Sequence, residues 1–340
     1  MKNKKIIPGL LLSLALLCFP QRAAAAQAGD ALVPVGRTVG IELNCRGAVV
    51  TGFSDVETEK GTLCPAREAG VLPGDTIISL NGETVENGRA FLEKADRFSG
   101  EDVTLLARRG EREVELTVTP EKNAEGTWQL GLWLRDCIHG VGTVTYYDPL
   151  TGDFGALGHG VSLPEGERLM EISGGSIMDA EVVDVVAGQK GEPGELCGVA
   201  DGERVLGSVE SNTPRGIFGK AAGALCQREA LPVAADSEIR PGKALIVSTV
   251  DGTGPREFEA EILRIDFSGA DTRQLTIAVT DQALLASTGG IVQGMSGSPI
   301  LQNGKLVGAV THVLLNDPSK GYGISMENML KAAPALAPAA

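Results

Sequence analysis

Positive charge, paired cysteines and long apolar runs are all scarce in this 340-residue chain. The formal net charge is -14, and residues 1–26 carry four basic residues and no acidic ones, so the rest is near -18 (-14 minus 4). A chain this acidic is a poor partner for the nucleic-acid phosphate backbone. Because no cysteine lies in a C-x-x-C pair, we also expect no zinc site, and no motif calls for another cofactor.

The cysteines leave two interpretations open. Five remain after residue 26, at positions 45, 64, 137, 197 and 226. An odd number means that at least one thiol is free or pairs between chains. A disulfide between Cys45 and Cys64 is one possibility, and buried free thiols are the other.

The only long apolar run lies at the N-terminus. Three lysines stand among the first five residues, an apolar run extends over residues 6–19, and four alanines follow at 23–26. A basic start, a short apolar core and small residues near a cleavage point are typical of a secretory signal. We therefore expect an extracytoplasmic protein whose residues 1–26 are a cleaved signal or an initial membrane tether, although the run is short for a stable span.

A serine in a glycine-rich turn is the strongest candidate nucleophile. Ser296 lies between Gly294 and Gly297, at the start of an apolar run. Glycines allow tight turns and close substrate approach, so the turn can expose the hydroxyl beside backbone donors. The N–H groups of Gly294 and Ser296 are the candidate oxyanion hole. Ser298 is an alternative nucleophile, and an ordinary turn between strands is the simpler interpretation.

Histidine is also scarce, which narrows the choice of general base. A serine nucleophile usually needs a histidine nearby, and the chain has three. His159 has glycines on both sides, so its ring is predicted to stand uncrowded on a tight turn. His139 and His312 lie beside or within strand-like runs and are weaker candidates.

Asp281 is the candidate carboxylate that would orient the histidine. It follows the strand-like run 275–279, and an aspartate at a strand end could stabilise the charged imidazole. Asp153 and Asp317 are competitors, and Asp281 could instead cap a short helix beginning at Gln282. The order histidine, aspartate, serine is that of chymotrypsin-like peptidases, although the gap from Asp281 to Ser296 is short for them.

Residues 35–120 are predicted to form one small α+β domain. The run 66–77, followed by Leu80-Asn81-Gly82, resembles bacterial PDZ domains. That resemblance implies a peptide added as a strand, with its carboxylate held by backbone amides. Gly40 and Ile41 are the candidate peptide-binding residues. The alternative is a domain that only packs on its neighbour.

Residues 126–335 are rich in short β runs separated by glycine turns. Examples are the runs 141–147, 244–250, 259–265 and 275–279. Regular strands with turn signals predict an all-β region. The fold class is therefore mainly β: a PDZ domain followed by an all-β, chymotrypsin-like barrel peptidase domain.

Several separate segments resemble the SpoIVB (stage IV sporulation protein B) peptidase family; they span residues 147–149, 155–160, 293–299 and 308–313. The resemblance implies a serine endopeptidase with a PDZ domain before the peptidase, and a catalytic set of Ser296, His159 and Asp281. It also implies cleavage of itself and of a partner protein, a regulator of a membrane protease complex, during spore formation. The alternatives are a non-catalytic PDZ scaffold and an HtrA-type quality-control protease, whose PDZ domains follow the protease.

Overall fold

The computed structural model of the protein describes residues 30–58, 61–163, 168–268 and 272–334. The predicted signal segment 1–26 and residue 335, the predicted end of the peptidase domain, lie outside these residues. The prediction of a mainly β fold is confirmed, because strands far outnumber helices. Across the described ranges, the helices are too short or too polar to cross a membrane.

The N-terminal half combines long and short strands with two helices. Its elements are β1 (Ala31–Pro34), β2 (Thr38–Phe53), β3 (Val56–Thr58), β4 (Gly61–Leu63), α1 (Pro65–Glu68), β5 (Thr76–Leu80), β6 (Glu83–Thr84), α2 (Gly88–Ala95), β7 (Val103–Arg109), β8 (Arg112–Val118), β9 (Glu121–Lys122), β10 (Trp128–Gln129) and β11 (Leu132–Tyr147).

The C-terminal half adds eleven strands, two short α-helices and a 3₁₀ turn at Asp236–Glu238. These elements are β12 (Asp153–Ala156), β13 (Ile172–Val186), β14 (Glu195–Thr213), β15 (Gly216–Ala221), β16 (Leu231–Pro232), β17 (Gly242–Ser248), β18 (Arg256–Ile265), β19 (Leu275–Val279), α3 (Gln282–Thr288), β20 (Pro299–Gln302), β21 (Lys305–Val313), β22 (Lys320–Ser325) and α4 (Met326–Leu330).

The last six strands close into a barrel, which we call the second barrel. Its order is β17-β18-β19-β22-β21-β20, and β20 returns to pair with β17. Buried and exposed side chains alternate along β18, as expected where one face of a strand meets a core. The core includes Ile246, Ile262, Ile277 and Ile300, each fully buried.

Six earlier strands form a second closed circuit, the first barrel. β11 pairs with β12, then β15, β14 and β13 follow, and β13 pairs with β2, which pairs with β11 again. All of these pairings are antiparallel. Val39, Leu43, Phe154, Ile177 and Ile217 are among its buried core residues.

A lobe formed by residues 46–136 is inserted between two strands of the first barrel. β2 and β11 pair from Thr38↔Thr143 in the barrel to Phe53↔Leu132 in the lobe. The second half of β2 continues into a sheet with β5, β7 and β8, against which α2 buries Phe91. Asn87 caps this helix by accepting a hydrogen bond from the Ala90 N–H at 2.8 Å.

The boundary between lobe and barrel runs through single strands. The sequence-based assignment begins the PDZ domain at residue 35, whereas residues 38–45 pair with β11 and β13 of the first barrel. β1 likewise pairs with β11. The reason is that β2 is one 16-residue strand, so a break in local pattern does not mark where one unit ends.

Candidate active site

The turn that carries Ser296 lies where the two barrels meet. The backbone N–H of Thr143, in β11 of the first barrel, donates to the Ser296 carbonyl at 3.0 Å. Gly297 has φ +97°, and a Cβ on it would lie 2.0 Å from the Thr143 carbonyl oxygen and 2.6 Å from the Leu157 nitrogen. Only glycine fits this close approach, so Gly297 allows the turn to contact the first barrel.

The two candidate serines differ in accessibility. The Ser296 hydroxyl, partly buried, donates to the Thr311 carbonyl at 2.8 Å. Ser298 is fully buried, and its hydroxyl donates to the Ser248 hydroxyl at 3.0 Å inside the second barrel. Ser296 is therefore the serine that substrate can reach.

Two backbone donors of the turn are free for a ligand. The N–H groups of Met295, Gly297 and Ser298 each donate to a backbone carbonyl at 2.8–3.1 Å. Those of Gly294 and Ser296 donate to no acceptor in the part of the chain that the structure describes. These are the two groups that the sequence predicts for the oxyanion hole, and unpaired donors beside a nucleophile can stabilise a developing oxyanion.

His159 stands on a tight turn directly after β12. Leu157 and Gly158 both have φ +69°, the left-handed region that a leucine rarely adopts. The His159 Nδ1 atom lies 2.9 Å from the Gly160 carbonyl oxygen. Burial lowers the pKa of His159, and the hydrogen bond to the Gly160 carbonyl partly opposes that shift. With its proton on Nδ1, the ring leaves Nε2 as the basic nitrogen.

A second histidine lies against His159 from the other barrel. The ring centroids of His159 and His312 are 5.1 Å apart, with ring planes inclined by 37°. His312 follows Thr311, whose carbonyl accepts the Ser296 hydroxyl, so this contact brings His159 beside the nucleophile turn. His139 is exposed, 3.6 Å from Glu42, and does not join the site.

Asp281 does not contact His159 in the described structure. Its carboxylate accepts hydrogen bonds from the N–H groups of Ala283 at 2.9 Å, Leu284 at 3.0 Å and Glu259 at 3.3 Å. It therefore caps α3, which is the alternative that the sequence left open. The carbonyl of Gly160, and not this carboxylate, lies at the Nδ1 atom of His159.

The competing aspartates are engaged elsewhere as well. Asp153 pairs with Lys220 at 2.6 Å, and Asp317 pairs with Lys320 at 2.7 Å. Hydrogen bonds to Lys320 and Ser319 lower the pKa of Asp317. Each of these aspartates is paired with a lysine, and the Nδ1 atom of His159 is paired with the Gly160 carbonyl.

The predicted peptide-binding residues, Gly40 and Ile41, lie at no free sheet edge. Both residues are in β2, where they pair with β11 on one side and with β13 on the other. A Cβ on Gly40 would lie 2.5 Å from the Ala200 side chain. A peptide cannot add to a strand whose two edges are occupied, so this placement is contrary to the expectation for Gly40 and Ile41.

All five cysteines of the described chain are free thiols. Cys45 and Cys64 are buried, in agreement with the interpretation as buried free thiols and not as a disulfide. Burial is the main reason that the pKa of Cys45 is raised to about 11. Thiols of this kind are poor nucleophiles.

The sequence did not identify Thr143 or the role of the Thr311 carbonyl. Thr143 is fully buried, its N–H binds Ser296, and its hydroxyl donates to the Gly294 carbonyl at 2.7 Å. A threonine in a strand-like run has no local feature that separates it from an ordinary strand residue. Its partner lies 151 positions away, so only the tertiary structure reveals the contact.

The Ser296 and His159 turns, which Thr143 and His312 connect across the two barrels, lie beside unpaired backbone donors in an arrangement typical of a serine peptidase. The chain belongs to the SpoIVB peptidase S55 family, whose model matches residues 126–330, more than half of the sequence. No curated protein sequence is significantly similar to the chain.

Solved structures show similarity to both parts of the chain. The active form of the Rv3671c protease from M. tuberculosis is 16% identical, with 60% of this chain and 78% of that chain covered and a TM-score of 0.36. Its inactive form is 15% identical, with 56% and 82% covered and a TM-score of 0.34. The PDZ domain of an SdrC-like protein from Listeria monocytogenes is 19% identical, with 26% and 87% covered and a TM-score of 0.22.

Proposed function

We propose that the protein is an extracytoplasmic serine endopeptidase that cleaves itself and a partner protein in a sporulation signalling pathway. The partner would be a regulator of a membrane protease complex, and the N-terminal segment would export the enzyme or tether it before processing. Membership of the SpoIVB peptidase family supports the substrate class. The observation that carries the activity is the pair of unpaired N–H groups, on Gly294 and Ser296, beside an accessible serine.

The proposed mechanism begins with rotation of the Ser296 side chain. Its hydroxyl leaves the Thr311 carbonyl and donates to Nε2 of His159, which takes the proton as Ser296 Oγ attacks the scissile carbonyl. The N–H groups of Gly294 and Ser296 bind the oxyanion. The imidazolium then protonates the leaving amine, and an acyl-enzyme remains. Water attacks the acyl-enzyme with His159 as base, which releases the acid product and restores Ser296.

The Gly160 carbonyl fits the orienting role in this mechanism. It accepts a hydrogen bond from Nδ1–H of His159 and so keeps the basic nitrogen on the opposite edge of the ring. Because the pKa of His159 is lowered by burial, the base is neutral at pH 7. A neutral base is the form that can accept the serine proton.

Self-cleavage followed by intact mass tests this proposal. Purified wild type is compared with Ser296→Ala and, as a matched control, with Ser298→Ala, which changes the buried serine two positions on. We expect wild type and Ser298→Ala to yield the same fragments, and Ser296→Ala to stay intact. Equal cleavage of all three would point to a contaminating protease, and absence of cleavage in all three would contradict self-processing.

We further propose that the lobe binds a peptide, at a groove between α2 and the start of β11. Eight apolar side chains line the groove: Phe91, Leu92, Ala95, Phe98, Trp128, Leu130, Leu132 and Leu134. Its volume is about 260 Å³, enough for one or two apolar side chains. Among the described residues, positions 132–135 of β11 pair with β2 on one edge only, so the other edge is available to an added strand.

The ends of this groove differ. At one end Gly131 has φ +74°, and a Cβ there would lie 2.4 Å from the Ser54 carbonyl oxygen, so only glycine fits this turn. At the other end the start of α2 lies close to β11, because a Cβ on Gly88 would be 3.3 Å from the Asp136 side chain. This close approach narrows the groove at that end. A long peptide therefore requires α2 to move away from β11, whereas a short C-terminal segment fits without that motion.

A titration of the protein with a hexapeptide ending in valine, followed by tryptophan fluorescence, tests the groove, because Trp128 lines it. We expect saturable binding that Leu92→Glu abolishes, because Leu92 is 62% exposed in the groove, and that Leu150→Glu preserves, because Leu150 is as exposed elsewhere. Equal binding by both variants would exclude the groove. A hexapeptide with an amidated C-terminus tells whether the free carboxylate is recognised.

A further inference from the structure

Thr143 makes three hydrogen bonds where the barrels meet. Its hydroxyl donates to the Gly294 carbonyl at 2.7 Å, and its N–H donates to the Ser296 carbonyl at 3.0 Å. Its own carbonyl accepts the Leu157 N–H at 3.2 Å, at the turn that precedes His159. One residue of the first barrel thus connects the nucleophile turn with the turn that carries the base.

The two carbonyls that Thr143 binds belong to the peptide groups Gly294–Met295 and Ser296–Gly297, and these flank the Met295–Ser296 peptide group that carries the unpaired Ser296 N–H. Gly294 has φ +92° and no side chain, so its backbone dihedrals are less restricted than those of other residues. A rotated plane would point a donor away from the substrate carbonyl. Oxyanion stabilisation depends on donors that are already oriented before the reaction. The Ser298 N–H holds the Met295 carbonyl of the central peptide group at 2.9 Å, and Thr143 holds the peptide groups on both sides of it.

The environment makes these contacts strong. Thr143 is fully buried, and hydrogen bonds shielded from water hold geometry better than exposed ones. Val144 and Thr145 continue the same strand, and Thr145 is equally buried. The Thr145 hydroxyl has no hydrogen-bond partner among the described residues. Thr143 and Thr145 are therefore two buried threonines of one strand, and they differ in that only the Thr143 hydroxyl makes a hydrogen bond among the described residues.

We propose that Thr143 is a positioning residue, which holds the Gly294–Ser296 turn in the geometry of the oxyanion hole across the barrel interface. This inference rests on the proposed function, because it assigns a role within the same site. Thr143 acts through the backbone of the turn and does not touch the substrate.

The test compares the Thr143→Val and Thr145→Val enzymes. The substrate is a fluorogenic peptide whose sequence spans the first self-cleavage site. Valine keeps the β-branched shape and removes only the hydroxyl. We expect Thr143→Val to lower kcat by about tenfold or more and to leave KM within about twofold. Thr145→Val should match wild type in both constants, because it removes a hydroxyl without a partner.

A second pair of variants separates a loss of activity from a loss of folding. Thr143→Ser keeps a hydroxyl and Thr143→Ala does not, while both shorten the side chain. We expect the serine variant to keep most of the wild-type kcat and the alanine variant to lose it at similar thermal stability. A purely structural role would lower stability in both and would leave kcat of the folded fraction unchanged.

The outcomes separate this inference from the proposed function. If Ser296→Ala retains activity, the proposed function itself fails. If Ser296→Ala is inactive but Thr143→Val has the kcat of Thr145→Val, only the role of Thr143 is overturned. A rise in KM with unchanged kcat would also overturn it, because that result would place Thr143 in ground-state binding.

Discussion

The two barrels are built from the chain in different ways. The second barrel uses one continuous stretch, residues 242–325, with neighbouring strands mostly consecutive in sequence. The first barrel is divided by the inserted lobe, so β2 and β11 meet across about 90 intervening residues. The second barrel supplies Ser296, and the first supplies His159 and Thr143. The site therefore depends on how accurately a locally formed barrel meets a non-locally formed one.

The largest expected effect comes from disturbing the contact between the barrels. Gly297→Ala would place a Cβ against the Thr143 carbonyl at a φ of +97°, so the turn must move. We expect kcat/KM to fall by about 100-fold or more, with a loss of about 2 kcal/mol in unfolding free energy. Enzyme assays and urea unfolding measure the two effects.

Gly304→Ala is the control for that substitution. Gly304 also has a positive φ, of +73°, but a Cβ there meets nothing within 4 Å. We expect a loss of about 1 kcal/mol from backbone strain alone and wild-type activity. Similar activity losses in the two variants would show that the barrel contact is not what matters at Gly297.

An intermediate effect distinguishes the two roles considered for Asp281. As a helix cap, it can be replaced by asparagine with little loss, because both residues cap well, whereas alanine costs about 1 kcal/mol. We therefore expect Asp281→Asn to keep kcat within a fewfold of wild type and Asp281→Ala to be mainly less stable. A fall in kcat of about 10⁴ for Asp281→Asn would instead identify a catalytic carboxylate, in a conformation that differs from this one.

The smallest effect is a pH dependence that His159 introduces. Burial lowers its folded pKa below the unfolded value of about 6.5. The unfolded state then binds the proton more readily, so unfolding free energy is highest above about pH 6.5 and decreases as pH falls through the folded pKa. Urea unfolding of wild type and His159→Gln at pH 5–8 should show this decrease in wild type and less of it in the variant. Parallel curves would contradict the assigned shift.

What the sequence could predict follows the same division between the barrels. The strand 275–279 and the Ser296 turn lie in the second barrel and were identified from local pattern, since alternation and glycine positions are local signals. The long strand β14 was not, since none of the strand-like runs named above lies within residues 195–213. Its identity depends on pairing with β13 and β15.

Among the site residues, those marked by a local sequence pattern could be proposed from the sequence, and those defined by a distant contact could not. Ser296, His159 and the two oxyanion donors were proposed from glycine-rich local runs. The structure places the Ser296 turn and the His159 turn at the same barrel interface, where Ser296 donates to the Thr311 carbonyl and not to His159. The orienting partner of His159 could not be read in that way, because Asp281 has the same sequence signature as a helix cap and as a catalytic acid. Gly40 and Ile41 were proposed to bind a peptide, but the two edges of their strand are occupied by residues about 100 or more positions away.

The most direct measurement is the rate of labelling by a fluorophosphonate, which reacts with an activated serine, followed by peptide mapping. The two-barrel account predicts one adduct, on Ser296, in wild type and in Asp281→Asn at similar rates, and labelling slowed by about 10³-fold or more in His159→Ala. An adduct on another serine, or equal rates in wild type and His159→Ala, would contradict it.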